Sequence, residues 1–313
     1  MRDHVISFVQ KRQRTLSTAV LVAAIAFISG ASGREPLAAL PVIPLESAAD
    51  NMVAWLNNNF DPVFETISFI ILSVLDPLLW FFTNVPALSV IILLTGLGYL
   101  LGGWRIATFI GLALVFVSMI GFFEQMMITR SLALTATFFS LLVGIPLGVA
   151  KAHVSMIDIV LDPILDFMQT MPLFVYLIPA VLFFGIGNVP GLVATFIFAT
   201  PPAVRLTALG IQQIPKELIE AGHAFGATYW QFLSKIELPL ALPSIVAGIN
   251  QSIMLSLSMV VVASMIGAEG LGQEVFSGIT RLNVGQGITA GLGIVLLAMM
   301  LDRLTKSVTA RRS

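Results

Sequence analysis

Residues 212–239 read QQIPKELIEAGHAFGATYWQFLSKIELP and lie between two long apolar runs. Pro215 suits the first position of a helix, where its missing N–H costs nothing. Glu217 and Glu220 fall in the early turns and complement the helix dipole. Gly226 can take the left-handed conformation that ends a helix. A second short helix is expected over Thr228 to Lys235, after which Ile236-Glu237-Leu238-Pro239 leads into the next apolar run. The segment reads as a compact helix–turn–helix, too short to form a core of its own. Leu218, Ala221 and Phe225 recur at helical spacing and make one apolar stripe, which Tyr229, Trp230, Phe232 and Leu233 enlarge. Such a surface either packs beneath the chain's own helices or enters a groove on a partner. His223 lies inside the segment and reads as a helix-surface histidine.

The runs on either side belong to a membrane protein. Of 313 residues, 57% are hydrophobic and 11% charged, with mean hydropathy +0.97. A soluble domain carries roughly twice that charged fraction. In a bilayer core every backbone polar group must bond within its segment, so the runs read as helices. The expectation is an all-α chain of about eight spans: Leu16–Gly30, Pro86–Gly102, Trp104–Phe123, Ser131–Ala150, Pro172–Gly187, Pro190–Val204, Pro243–Gly267 and Gly287–Leu301.

The stretch Ile67 to Phe82 is also apolar, but Asp76-Pro77 would bury a charge and remove a helical hydrogen bond. If it lies in the interface and the N-terminus is cytoplasmic, every Lys and Arg except Arg34, Arg130 and Arg281 falls inside. If it spans, Arg2, Lys11, Arg12 and Arg14 move outside. The positive-inside rule favours the interfacial placement, with both ends cytoplasmic. The first span has a rival reading: its basic flank, short apolar run and Gly30-Ala31-Ser32-Gly33 also fit a cleavable signal peptide, which would leave seven spans. Residues 34–65 carry Glu35, Glu46, Asp50, Asp61 and Glu65 among Trp55, Phe60 and Phe64. They suit amphipathic helices lying on the membrane or a tether between spans.

Several chemistries are excluded. The chain has no cysteine, so disulfides and thiolate chemistry are absent. Its three histidines, His4, His153 and His223, form no H-E-x-x-H pattern, and a metal site is not expected. A net charge of −1 without a basic stripe gives no sign of nucleic acid. No lysine follows a G-x-x-x-x-G, so no phosphate-cradling loop is present. Neither G-x-S-x-G nor paired mid-span aspartates supports an intramembrane enzyme.

The loop resembles a known signature. Glu220-Ala221-Gly222, then Gly226, then Ile236-x-Leu238-Pro239 is similar, at each spacing, to the EAA motif of permease subunits of ATP-binding-cassette (ABC) importers. The departure is Gly222 for the second alanine, which keeps the residue small at a helix cost of about 1 kcal/mol. Further segments resemble the permeases for glycine betaine, proline betaine and choline: Met168-Gln169-Thr170-Met171-Pro172, Phe184-Gly185-Ile186-Gly187-Asn188-Val189-Pro190-Gly191 and Pro201-Pro202-x-Val204-Arg205. So do Leu257-Ser258-Met259-Val260-Val261, Gly270-Leu271-Gly272-Gln273 and Leu301-Asp302-Arg303-Leu304-Thr305. The similarity covers roughly residues 50–308.

The resemblance implies a type I importer permease fold. The chain is expected to divide into an N-terminal cytoplasmic tail with the first span, or a signal peptide (1–33), an extracytoplasmic or interfacial amphipathic region (34–85), a permease core (86–308) with coupling loop 212–239, and a basic tail (309–313). The resemblance also implies a multi-pass protein of the bacterial inner membrane that forms a dimer, expected to be a homodimer. Each EAA loop would dock into a cytoplasmic ATPase, with Glu220, Ala221, Gly222, Gly226, Ile236, Leu238 and Pro239 as the coupling element. ATP and Mg would be bound by that ATPase and not by this chain, which has no catalytic or cofactor site. Only about ten residues follow the last span, so a separate extracytoplasmic substrate-binding protein is expected to capture the cargo. That cargo would be a quaternary ammonium osmolyte, held there in an aromatic cage.

Asn250, Gln251, Ser252, Ser256 and Ser258, with Met254 and Met259, either line the translocation path or bond helices together. Asp158, Asp162 and Asp166 share one helical face near Lys151 and His153, and offer a cation-attracting patch, a solvated face or a contact with the motor. Asp302 and Arg303 read as snorkelling residues at the cytoplasmic end of the last span. The alternatives are a permease for another small solute or a stand-alone secondary transporter. The latter usually needs intramembrane ionisable residues, from which the mid-span regions are nearly free.

Overall fold

A computed structural model describes residues 44–224 and 226–310, and among them every regular element is helical. The expected first span, Leu16–Gly30, lies outside the described residues. The chain divides at Trp55/Leu56 into two units. In the first, residues 45–55 form the opening turns of helix α1, Leu45–Asn84, with Met52 and Trp55 exposed. The second unit holds the rest and all of the packing that follows.

The structure corrects the reading of Ile67–Phe82 as a stretch broken at Asp76-Pro77. Helix α1 runs through Pro62 and Pro77 without interruption, and is long and apolar enough to cross a membrane. Asp76 and Pro77 sit together on its exposed side. The opposite side buries Ile71, Leu75 and Phe82 in the main hydrophobic core beside Leu94, Ile110 and Leu132. A proline removes one ladder bond, and burial of the other face outweighs that loss.

Helix α2, Ala87–Met119, is two arms. Gly103 has φ +76°, which glycine adopts without steric cost, and the chain reverses there. A Cβ on Gly98 would lie 2.7 Å from Ile110 Cδ1 and 3.5 Å from the Ala107 Cα, and one on Gly111 would lie 3.2 Å from Thr95 Oγ1. In a straight helix residues 98 and 107 would be about 13.5 Å apart. The arms 87–102 and 104–119 therefore form a helical hairpin, divided where two spans were expected.

The centre is built by α3 (Phe123–His153), α6 (Asn188–Gln212) and α9 (Leu238–Ala263), with α6 packed against both others. Small residues let these backbones close. A Cβ on Gly144 would stand 2.6 Å from Ala203 Cβ, and one on Gly148 2.6 Å from the Val204 carbonyl. Such small-residue seams are how helices associate where lipid offers no hydrophobic drive. Pro201 and Pro202 leave two α6 carbonyls without ladder partners. Beside this break, Ser140 donates to the Phe196 carbonyl at 3.1 Å and Ser252 to the Ala199 carbonyl at 2.8 Å.

The expected span Pro172–Gly187 is corrected as well. It comprises a 3-10 turn, Leu173–Tyr176, and α5, Leu177–Phe184. These twelve residues reach about 18–20 Å, short of a bilayer core. With α4, Ser155–Thr170, they form a pair bent by 110°, a broken span or a re-entrant loop. After α9 come a 3-10 turn (Ser264–Ile266), the short helix α10 (Leu271–Thr280) and α11 (Val284–Ala310), with α10 packed against α11.

Candidate functional site

Residues 212–239 fold as a compact projection at one end of the core. Helix α7, Lys216–Ala224, starts directly after Pro215, with Glu217 in its first turn. Gly226 has φ +71°, and the Ala227 N–H returns to the Gly222 carbonyl at 3.2 Å, the long closing bond of a left-handed helix stop. Thr228 then opens α8, Tyr229–Phe232, through a reciprocal capping arrangement in which its N–H reaches Gln231 Oε1 at 3.0 Å.

Beyond α8 the expected second helix does not end. A π-helical turn, Leu233–Glu237, carries it into α9, so Tyr229–Ile266 is one helical run. Pro239 has no N–H to offer the ladder. The widened turn bonds Leu238 N–H to the Leu233 carbonyl just before it. Such insertions concentrate at functional positions.

The projection has an inner and an outer face. Phe232 and Leu233 are buried, Ile236 and Leu238 are partly so, and Gly222 is covered by the Phe232 ring. A Cβ on Gly222 would lie 2.7 Å from Phe232 Cε2 and 3.1 Å from Ile236 Cδ1, so glycine fits where the resemblance had alanine. Outward stand Glu220, Ala221 and Pro239, together with Leu218 at 43%, Tyr229 at 52% and Trp230 at 73% exposure. The apolar surface thus divides: one half packs on the chain itself and the other is uncovered. Phe225 lies outside the described residues, as does the side chain of His223.

Charged residues gather at this end. Lys151 pairs with Asp158 and, at 2.7 Å, with Asp162, while Arg205 reaches Asp166 at 2.5 Å. The three aspartates therefore tie α4 to the end of α3 and to α6. His153 Nε2 stands 3.0 Å from both oxygens of the buried Glu237. A half-open cleft of about 430 Å³ between Ile211, Gln212, Ile219, Tyr229 and this pair separates the projection from the core.

The polar residues of α9 scatter. Asn250 donates to Asp302 at 3.2 Å and accepts from Thr305 at 3.3 Å, tying α9 to α11. Asp302 also pairs with Lys306, and the Arg303 guanidinium covers the Phe109 ring at 3.9 Å, so both do more than snorkel. Ser256, wholly buried, accepts from Thr137 of α3 at 3.1 Å. Met259 is enclosed with Tyr176, Leu177 and Ala194. Gln251 and Ser258 are exposed seven residues apart, on one face.

At the opposite end two glycine-rich segments meet. Gly187 N–H donates to the Ile266 carbonyl at 3.0 Å, Asn188 accepts from the Glu269 N–H at 2.9 Å, and Leu271 N–H donates to Thr129 at 2.8 Å. Nothing in the sequence reading joined these segments. The signal available was the positive-φ glycines themselves, Gly185, Gly187, Gly267 and Gly270.

A bundle of helices long and apolar enough to cross a membrane defines a multi-pass membrane protein. The chain belongs to the family described as binding-protein-dependent transport system inner membrane component, whose model matches residues 140–313. It is 43% identical to the glycine betaine transport system permease protein OpuAB of Bacillus subtilis, over 87% of this chain and 97% of that one. Identity to the glycine betaine/carnitine transport permease protein GbuB of Listeria monocytogenes is 47%, over 86% and 96%. To the glycine betaine/proline betaine transport system permease protein ProW of Escherichia coli it is 45%, over 85% and 75%. The fold is that of a chain of the MetNI methionine ABC transporter, at TM-score 0.56 and 23% identity, covering 59% of this chain and 93% of that one. The chain is a permease subunit of an ABC importer.

Proposed function

We propose that this permease moves glycine betaine or a closely related quaternary ammonium osmolyte, driven by a separate ATPase that docks on residues 212–239. The observation that carries the docking reading is the uncovered apolar face formed by Leu218, Tyr229 and Trp230 beside Glu220 and Ala221. An exposed patch of this kind marks an interaction site, and a short helix presenting apolar anchors suits a groove. The gathering of Lys151, Arg205, Lys216 and Lys235 at the same end agrees with a cytoplasmic location. Glu220, Ala221, Gly222, Gly226, Ile236, Leu238 and Pro239 divide the work: the first two meet the motor, and the others set the turn and seat the loop. ATP and Mg are bound by that motor, and a separate binding protein delivers the cargo. The cargo assignment rests on the names of relatives 43–47% identical.

For the path, the proposal narrows to the face of α9 that carries Gln251 and Ser258, completed by a second copy of the chain. The test is uptake of labelled glycine betaine and of labelled choline in cells lacking the gene. The chain is restored alone or with its ATPase and binding protein. Uptake only with all three is expected. Uptake by the chain alone would sink the motor assignment, and no uptake of either label with all three would sink the cargo.

A further inference from the structure

We propose that the pair formed by His153 and the buried Glu237 is the joint through which movement of the docked loop reaches the membrane-spanning core. The inference rests on the coupling role of residues 212–239 and names a positioning contact within it. Glu237 occupies the variable place between Ile236 and Leu238, where no role is expected from the spacing. It is nevertheless 4% exposed, on the last residue of the π-turn. A buried carboxylate needs a partner, and both its oxygens have one in His153 Nε2 at 3.0 Å.

The other ring nitrogen, Nδ1, is 2.8 Å from the Val149 carbonyl. Nδ1 thus faces the Val149 carbonyl and Nε2 the Glu237 carboxyl group, so the ring is held from two sides. His153 is the last residue of α3, and Glu237 adjoins the first residue of α9. The contact thus ties the end of α3 to the start of α9, at the point where the loop leads into α9. On its outer side the ring meets Tyr229 edge to face at 5.6 Å, and Tyr229 meets Trp230 in the same way at 5.4 Å. A continuous series of contacts runs from the exposed Trp230 through Tyr229 and His153 to the end of α3. The cleft beside the pair leaves room for the loop to shift around it.

The experiment uses the full complex of permease, ATPase and binding protein in proteoliposomes, and reads solute moved per ATP hydrolysed. His153→Ala and Glu237→Ala should each lower that ratio by about tenfold, the scale that contacting residues show, and the double variant should fall no further. Glu237→Gln keeps a side chain of the same shape that can still hydrogen-bond the His153 ring, so it should restore the ratio to within about twofold. An unchanged ratio, additive losses in the double variant, or no rescue by Glu237→Gln would overturn the proposal. Should Glu237→Ala fail to fold, His153→Ala and Glu237→Gln decide the matter on the same readout. If the unaltered complex moves no solute with ATP, the functional reading fails instead.

Discussion

The loop at 212–239 and the polar face of α9 were both candidates for function, and they came out differently. In the loop, inner and outer halves separate cleanly, with Phe232 and Leu233 buried and Tyr229 and Trp230 exposed. In α9, the polar residues point in every direction: Asn250 to α11, Ser252 to α6, Ser256 to α3 and only Gln251 and Ser258 outward. The contrast follows from what polarity does in each setting. Outside the bilayer, an apolar residue left uncovered marks a surface that needs a partner. Inside a bundle, a hydroxyl or amide is as useful for bonding helices as for lining a path.

Breaking the loop should have the largest effect. Gly226→Val puts a β-branched residue at φ +71°, a conformation costing about 1–3 kcal/mol. It should redirect the helix stop and cut uptake by one to two orders of magnitude, roughly, with membrane insertion intact. Glu220→Lys should act similarly through the outer face, without that strain. Normal uptake by both would remove the loop from coupling.

Next comes Trp230→Ala, which truncates an exposed aromatic anchor. Binding of the ATPase should weaken by roughly 2 kcal/mol, the size of a hot spot, while thermal stability of the permease alone stays put. A stability loss with unchanged ATPase binding would mean that Trp230 packs on its own chain.

A smaller effect is expected on α9, and there the comparison sharpens. Gln251→Leu should raise the solute concentration needed for half-maximal uptake several-fold, without altering stability. Ser256→Ala should do the reverse, lowering stability by about 1 kcal/mol with uptake kept, because it deletes one interhelical hydrogen bond. If the two variants exchanged behaviour, the path would run through the interior of the protomer.

The smallest shift belongs to Gly222→Ala. It gains about 1 kcal/mol of helix propensity and loses at least as much by pushing Phe232, whose ring atom would lie 2.7 Å from the new Cβ. A slight fall in melting temperature is expected. A clear rise would show that the Phe232 ring moves aside at no cost.

Much of this was legible before any coordinates. Pro215, Gly226 and Thr228 punctuate the chain through local chemistry, and local chemistry needs no tertiary context. The expected spans Pro86–Gly102 and Trp104–Phe123 divide at Gly103, where the hairpin reverses. The Ile67–Phe82 stretch failed because Asp76-Pro77 was read as a local break, whereas α1 is held by burial of Ile71, Leu75 and Phe82 on the far side. The span Pro172–Gly187 failed on geometry: a hydropathy run does not reveal a 110° bend. The His153–Glu237 pair joins residues 84 positions apart, and no spacing rule connects them.

One measurement tests the docking assignment most directly, and the composition favours it. The chain has no cysteine, so a single introduced one is a clean crosslinking probe. Ala221→Cys, on the outer face of α7, should crosslink to the ATPase subunit in membranes, with a yield that changes when ATP is added. Ser258→Cys, exposed on α9, should not crosslink to the ATPase. Absence of an ATPase crosslink from residue 221, under conditions where a cysteine placed outside residues 212–239 gives one, would contradict the assignment of this loop as the place where the motor docks.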